Sequence, residues 1–329
     1  MKKIKIAQIG TSKYSHGTAI FGSICKQTDI FEVVGYAFPE NEEEKFPDMI
    51  APFAPYRKMT VEEILSDPEI EAVAVETEEI HLLKYAKMVA KAGKHLHMEK
   101  PGSPNLADFR ELVEILREKD LAFTLGYMYR FNPHVKRLIE RVKSGEIGKV
   151  FAVEAQMSCK HDPVWREWLA AFPGGMTFFL GCHLVDLIYA IQGEPNEIIP
   201  LNSATGMDGV DTNDFGMAVF KYDNGVSYFK TCDSEYGAIL RRHLLVTGER
   251  GSIEIKPLEY GAADGMHAIM NECLDPGWQV EWKKTVSEPF DRYDNMMKNF
   301  AEIVRGKENP YGYDYELKLF ELLMKACGA

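Results

Sequence analysis

The first 125 residues alternate short apolar, partly β-branched runs with stretches of helical periodicity, and that alternation narrows the folds open to this chain. The strand-like runs are IKIAQIG (4–10), FEVVGYAF (31–38), EAVAVET (71–77), HLHME (95–99) and AFTLGY (122–127). Between them, Thr60 and Glu63 have the spacing of a capping box that opens VEEILSD. IHLLKYAKMVAKAG carries apolar residues at helical spacing and ends at Gly93. Ser103 followed by Pro104 is expected to open the helix NLADFRELVEILREKD. Strands alternating with helices of this length form βαβ units and a parallel sheet. The expected fold is therefore α/β, with a doubly wound, Rossmann-type domain over 1–125.

The remaining residues, 126–329, follow a different pattern. NPHVKRLIERVKSGEIG and GCHLVDLIYAIQG are helical, KVFAVEAQMSC is strand-like, and DFGMAVFKYDNGVSYFKTC predicts a hairpin with Asn224-Gly225 at its turn. HLLVTGERGSIEI repeats the strand–turn–strand pattern, and two helical stretches close the chain. An α+β domain with an open, mostly antiparallel mixed sheet is expected here, with the final helices able to pack back on the first domain. A chain of 329 residues suits two domains of ordinary size.

The total charge is −12, which argues against a nucleic-acid partner because phosphate binding needs a basic face. No run of 18 apolar residues predicts a membrane span, and MKKIKIAQIG lacks the features of a signal peptide. The six cysteines are scattered, as expected for reduced thiols in a cytoplasm. Cys159, His161, Cys182 and His183 raise the question of a metal. Their spacing matches neither C-x₂₋₄-C nor a helical i, i+4 pair, and adjacent Cys182-His183 cannot readily face one ion. No metal is expected.

IGTSKYSHG (9–17) follows the first strand and leads into a helix, where a dinucleotide fingerprint would sit. Gly10 keeps the first glycine, while Ser12 and Ser15 replace the second and third. Backbone N–H groups at a helix N-terminus bind anions whatever the side chain, and Lys13 adds charge. The second strand ends with Phe38 where an acid usually meets the ribose, and Glu40 follows two residues later. Phe38 is expected to stack on adenine, and Glu40 or Asn41 to reach the ribose. No arginine follows directly for a 2′-phosphate, so NAD is expected in preference to NADP.

MEKPG (98–102) follows the fourth strand, and with it the chain resembles the glucose-fructose oxidoreductase / inositol dehydrogenase / MocA-like family over essentially its whole length. The stretches that carry the resemblance include IAQIGTS, AGKHLHMEKPGSPNLADFRELV, LGYMYRFNP, SGEIGKV and GGMTFFLGCHLVDLIYAI. The resemblance implies a nicotinamide-binding N-terminal domain and substrates drawn from sugars, cyclitols and their derivatives. It also implies a homodimer or homotetramer formed through the C-terminal sheet. The family's lysine carries over to Lys100, with Glu99 shaping the loop beneath the nicotinamide, and its histidine to His183. Arg130 matches a position near the active site. Thr11, Tyr14, Thr77, Glu78 and His81 complete the expected cofactor-binding set, and Tyr127 joins the substrate residues. The sequence departs from the family at 179, where Phe179 stands in place of an aspartate four residues before the histidine.

Oxidising a secondary alcohol requires hydride transfer and removal of the hydroxyl proton by a base within hydrogen-bond reach. A lysine shielded from water and a histidine can both serve, so Lys100 and His183 are the expected proton handlers. Trp165 and Arg166 are expected at a substrate lip, with Phe179 as an apolar wall for a sugar face. Two alternatives stand beside net NAD-dependent alcohol oxidation. One is tightly held NAD recycled during epimerisation or glycoside cleavage. The other is a catalytically silent sugar- or nucleotide-binding relative, favoured by Phe38 and Phe179.

Overall fold

The structure, a computed structural model, describes residues 2–329. It divides into two compact units, Met1–Tyr127 with Tyr293–Lys318, and Met128–Arg292 with Leu319–Ala329. The first unit is therefore built from two separate stretches of chain, and the second of them, Tyr293–Lys318, includes the helix Asp294–Val304 from the closing region of the chain.

In the first unit, β1 (Ile4–Ile9), β2 (Phe31–Ala37), β3 (Ala72–Val75), β4 (His95–Met98) and β5 (Phe123–Leu125) form a parallel sheet in the order β2-β1-β3-β4-β5. All four residues of β3 are buried, which explains a continuous Ala-Val-Ala-Val run in place of alternation. The capping box forms as its spacing predicts: Thr60 Oγ1 accepts from Glu63 N, and Glu63 Oε2 accepts from Thr60 N. Ser103-Pro104 does not start a helix. Its hydroxyl instead accepts from Asn105 N, and Asn105 caps the helix Leu106–Glu118 through Asp108 N. The returning helix Asp294–Val304 is tied to the helix Gly17–Lys26, because Asp294 accepts from Ser23 Oγ at 2.7 Å and pairs with Lys26 at 2.8 Å.

In the second unit, the strands are β6 (Val150–Gln156), β7 (Glu197–Pro200), β8 (Phe215–Tyr222), β9 (Gly225–Cys232), β10 (His243–Gly248) and β11 (Gly251–Ile255), then β12 (Tyr260–Ala262), β13 (Gly265–His267), β14 (Ile269–Cys273) and β15 (Lys283–Val286). Eight of them make one sheet in the order β15-β14-β11-β10-β6-β9-β8-β7, and β12 pairs with β13. Only β6 and β9 run parallel; every other neighbour in that sheet is antiparallel. The β8–β9 hairpin closes one residue earlier than its Asn-Gly pair suggests, since Tyr222 pairs with Gly225 and the loop is Asp223-Asn224. Gly225 is needed for another reason: a Cβ there would lie 1.9 Å from the Phe151 carbonyl oxygen. The helix Cys182–Gln192 packs on β6 and is preceded by a π-helical turn, Thr177–Gly181. No helix among the described residues is long and apolar enough to cross a membrane.

Candidate functional site

The turn after β1 is shaped by close approach to the end of β3. Gly10 has φ +83°, and a Cβ there would lie 2.4 Å from Thr77 Cγ2, so this position takes no larger residue without displacement. Gln8 Nε2 donates to the carbonyls of Gly10 and Gly17, both at 3.0 Å, which fixes the two ends of the loop. The serines that replace fingerprint glycines have local partners. Ser12 Oγ accepts from Tyr14 N, and Ser15 Oγ donates to Glu76 O at 3.1 Å. Thr11 lies 3.1 Å from the Thr18 hydroxyl, and Lys13 sits over the Tyr14 ring.

Glu99 joins the first loop to the end of β4. Its Oε2 accepts from His16 N at 2.9 Å and lies 3.0 Å from His16 Nδ1, while Oε1 accepts from Lys100 N at 2.8 Å. The carboxylate thus takes a backbone N–H just before the helix Gly17–Lys26, a place where a dinucleotide fold presents donors to an anion. Lys100 is 1% exposed.

Three carboxyls near Lys100 differ in protonation. Burial would raise Glu99, but the charge and hydrogen bonds of His16 and the charge of Lys100 more than offset it, holding the group well below the usual carboxylate range. Burial raises Glu76 well above that range, helped by the charges of Glu99 and Glu79. Burial pushes Glu79 up to about 8, opposed by Lys100. His97, under the same sheet end, is lowered to about 4 by burial and lies 2.8 Å from the Thr124 hydroxyl. Near neutral pH the group around Lys100 therefore includes an ionised Glu99, a Glu79 that largely keeps its proton and a neutral His97 imidazole, while burial and the neighbouring acids shift Glu76 toward its neutral form.

At the end of β2, Phe38 packs on Tyr36 and Phe53, at 4.7 and 4.9 Å between ring centres, and lines a cavity of about 390 Å³ with Ala37, Lys58, Thr60 and Tyr85. Glu40 is already engaged: it accepts from Tyr85 OH at 2.5 Å and Lys84 Nζ at 2.9 Å, and His81 Nε2 lies 3.7 Å away. Thr77 is buried, and its hydroxyl donates to Glu78 O at 3.3 Å.

The second unit positions the other expected residues. His183 is buried on the first turn of the helix Cys182–Gln192, with the Tyr129 ring edge-on at 5.1 Å. Asp186, three residues on, binds Arg130: Nε donates to Oδ2 at 2.9 Å and Nη2 to Oδ1 at 2.8 Å, with both side chains buried. Phe179 packs edge-on against Trp165 and Trp168, at 6.0 and 5.5 Å, so the position where the resemblance leads to the expectation of an aspartate is part of an aromatic cluster. Arg166 is not at a lip. It is 0% exposed and is enclosed by Asp208, Asp214, Ser234 and the Met207 carbonyl. Its position in the short amphipathic helix Pro163–Trp168 faces inward, toward acids that arrive from residues 208 and 214. Tyr127, Lys100 and the nucleotide-end residues belong to the first unit, and Arg130, Trp165, Phe179 and His183 to the second.

Sequence reasoning missed Tyr129, whose hydroxyl donates to Glu259 Oε1 at 2.6 Å and accepts from Arg242 Nη1 at 2.8 Å. It also missed His16, the partner of Glu99. Neither contact has a local signal, because the partners lie 130 and 83 residues away in the chain.

Residues 4–127 match a family model described as the oxidoreductase family with an NAD-binding Rossmann fold, and residues 135–254 match a GFO/IDH/MocA C-terminal domain. The Escherichia coli oxidoreductase YhhX is 30% identical over 142 residues, 42% of this chain and 40% of its own length. A myo-inositol 2-dehydrogenase of Thermotoga maritima is 27% identical over 58% of this chain and 64% of its own length. The chain thus spans under two thirds of each of these relatives. In fold it is similar to a levoglucosan dehydrogenase solved with NADH and levoglucosan, with a TM-score of 0.80 at 16% identity over 99% of this chain and 98% of the other. With a parallel Rossmann sheet, a mixed eight-stranded sheet and a matched model for each half, the chain belongs to the GFO/IDH/MocA oxidoreductase family.

Proposed function

We propose that this chain is an NAD-dependent oxidoreductase acting on a secondary alcohol of a sugar, cyclitol or sugar derivative. The observation that carries the reading is the setting of Lys100. A fully buried lysine lies two residues beyond the end of β4, beside a glutamate that His16 keeps ionised, with two further carboxyls nearby raised by burial. Perturbed groups concentrated at the C-terminal end of a parallel sheet mark a functional site.

The first unit fits a dinucleotide. Gly10 keeps the turn after β1 free of a Cβ, and the cavity beside Phe38 has an aromatic wall for an adenine. When bound, the nicotinamide supplies the hydride acceptor or donor. Lys100 holds and moves the hydroxyl proton at Nζ, and His183 supplies a second proton-handling group. Glu99 orients Lys100 by accepting from its backbone N–H. Thr11, Ser12 and Tyr14 would line the pyrophosphate, with Thr77, Glu78 and His81 along the nucleotide. Phe179 offers an apolar surface for a sugar ring.

NAD is favoured over NADP because the lysines at the Phe38 cavity are already paired, Lys84 with Glu40 and Lys58 with Glu43. The carbohydrate or polyol class is supported by relatives named for myo-inositol and levoglucosan. The reading is tested with Lys100→Ala, assayed against a panel of sugars and cyclitols by absorbance of the reduced nicotinamide. Turnover is expected to disappear while NAD affinity stays within about tenfold of the parent, the pattern of a group acting in the transition state. Full activity in that variant overturns the role of Lys100.

A second reading, a nucleotide- or sugar-binding relative without turnover, is favoured by one observation: position 179 is an aromatic residue packed edge-on against two tryptophans. NAD binding with no turnover on any member of the panel would select it.

A further inference from the structure

Cys159 and His161 are two residues apart in an extended segment that leaves β6 and runs beside the end of β9. Cys159 N donates to Cys232 O at 2.9 Å, His161 N to Asp233 O at 3.2 Å, and Glu235 N to Cys159 O at 3.0 Å. In extended chain, residues i and i+2 share a face. Backbone pairing then brings Asp233 to the same face, and three side chains of different chemistry meet there.

The three ligand-type atoms converge on one point. Cys159 Sγ lies 3.0 Å from Asp233 Oδ1 and 3.5 Å from His161 Nδ1, and His161 Nδ1 lies 2.5 Å from Asp233 Oδ1. A nucleophilic triad has another geometry, with the acid on one imidazole nitrogen and the thiol on the other. Here the thiol and the carboxylate both meet Nδ1. Tetrahedral zinc at its usual bond lengths holds S, N and O ligand atoms about 3.3–3.6 Å apart. The sulfur–nitrogen separation already has that value, and the other two need to open by only about 0.5–0.8 Å.

A second observation points the same way. Asp233 is 0% exposed, and its Oδ2 is buried with no hydrogen-bond partner. A buried carboxylate oxygen without a donor is costly, and a cation at this point would compensate it. The His161 ring is stacked on Trp165 at 4.0 Å with 16° between planes, which fixes its orientation in the manner of an outer-shell partner. The ring is also 29% exposed, so an ion has a route in from solvent.

We propose that Cys159 Sγ, His161 Nδ1 and Asp233 form a binding site for a divalent transition metal. A thiolate, an imidazole and a carboxylate together suit zinc. Three protein ligands leave a fourth position for water or an oxygen of a small molecule, the pattern of zinc sites that keep an open position. Binding releases the Cys159 thiol proton to solvent, and the imidazole proton resides on Nε2 so that Nδ1 can donate its lone pair. The thiolate and carboxylate charges together balance the ion. The cluster comprises Cys159, His161 and Asp233 and does not include Cys182 or His183. Spacing along the sequence does not reveal it, because the extended backbone supplies the shared face of Cys159-x-His161 and Asp233 comes from the segment that follows β9.

The test uses the full chain, stripped with chelator and titrated with Co²⁺, then with Zn²⁺ in competition. One equivalent of cobalt is expected to bind, with near-ultraviolet thiolate-to-cobalt charge transfer and visible bands of a four-coordinate ion, and zinc is expected to displace it. Cys159→Ser should abolish the charge-transfer band. His161→Gln should weaken affinity by at least about tenfold, the least that loss of even an outer-shell partner usually costs. Circular dichroism checks that each variant is folded, and the partly exposed His161 supplies the decisive variant if Cys159→Ser does not fold. Absence of the charge-transfer band at millimolar cobalt overturns the proposal. So does a band and affinity unchanged in the folded His161→Gln protein.

Discussion

Arg130 and Asp186 show how a residue near a candidate site can serve to hold it. The guanidinium is bound in two places by a carboxylate one turn from His183, and neither side chain is more than 3% exposed. Asp186→Asn removes the carboxylate charge from beside a buried arginine, and breaking such a pair from one side costs about 3–5 kcal/mol. A urea midpoint lowered to match is expected, and an unchanged midpoint would contradict the pairing. Phe179 leads to a related expectation. Introducing aspartate there places a charge against Trp165 and Trp168, so Phe179→Asp should lose at least the roughly 3 kcal/mol of a large core truncation. Thermal unfolding of that variant checks this before any activity is read from it.

At the scale of elements, the strands and helices of the first unit were legible because burial and periodicity coincide. β3 is apolar without interruption where it is covered on both faces, and Thr60 with Glu63 caps the helix Val61–Ser66 as its spacing implies. Thr60→Ala should lower stability by about 1 kcal/mol, measured by denaturant unfolding, with Thr60→Ser close to the parent. What the sequence could not reveal depends on residues distant in the chain. Asn105 rather than Ser103 caps its helix, because only its side chain reaches Asp108 N. Arg166 is turned inward by Asp208 and Asp214, more than 40 residues later. The π-helical turn Thr177–Gly181 has no pattern of its own, since it continues directly into the helix that carries His183. In the candidate site, Gly10, Glu99 and Lys100 stand in motifs visible in the sequence, whereas the approach of Thr77 to Gly10, the bond from His16 to Glu99 and the charge effect of Lys100 on Glu79 arrive only through folding.

For the whole molecule, the buried acids make stability depend on pH in opposite directions. Glu79 keeps its proton up to about 8 when folded, whereas an unfolded glutamate loses it near 4.5. Between these values the unfolded chain binds fewer protons, so this group lowers stability as pH rises. Glu99 acts with the other sign: its folded value lies below the unfolded one, so its contribution is present above about 4.5 and is lost as pH falls further. Glu79→Gln should therefore gain stability relative to the parent from about pH 5 to about pH 8, as measured by urea midpoints across that range. A difference that does not change with pH would contradict the buried, protonated state of Glu79.

The central claim is that the first unit binds a nicotinamide dinucleotide on the Gly10 turn beside Lys100. Calorimetric titration of the full chain with NAD and with NADP tests it most directly. The account predicts saturable binding of NAD, tighter than that of NADP. Failure of both to bind at millimolar concentration would contradict it.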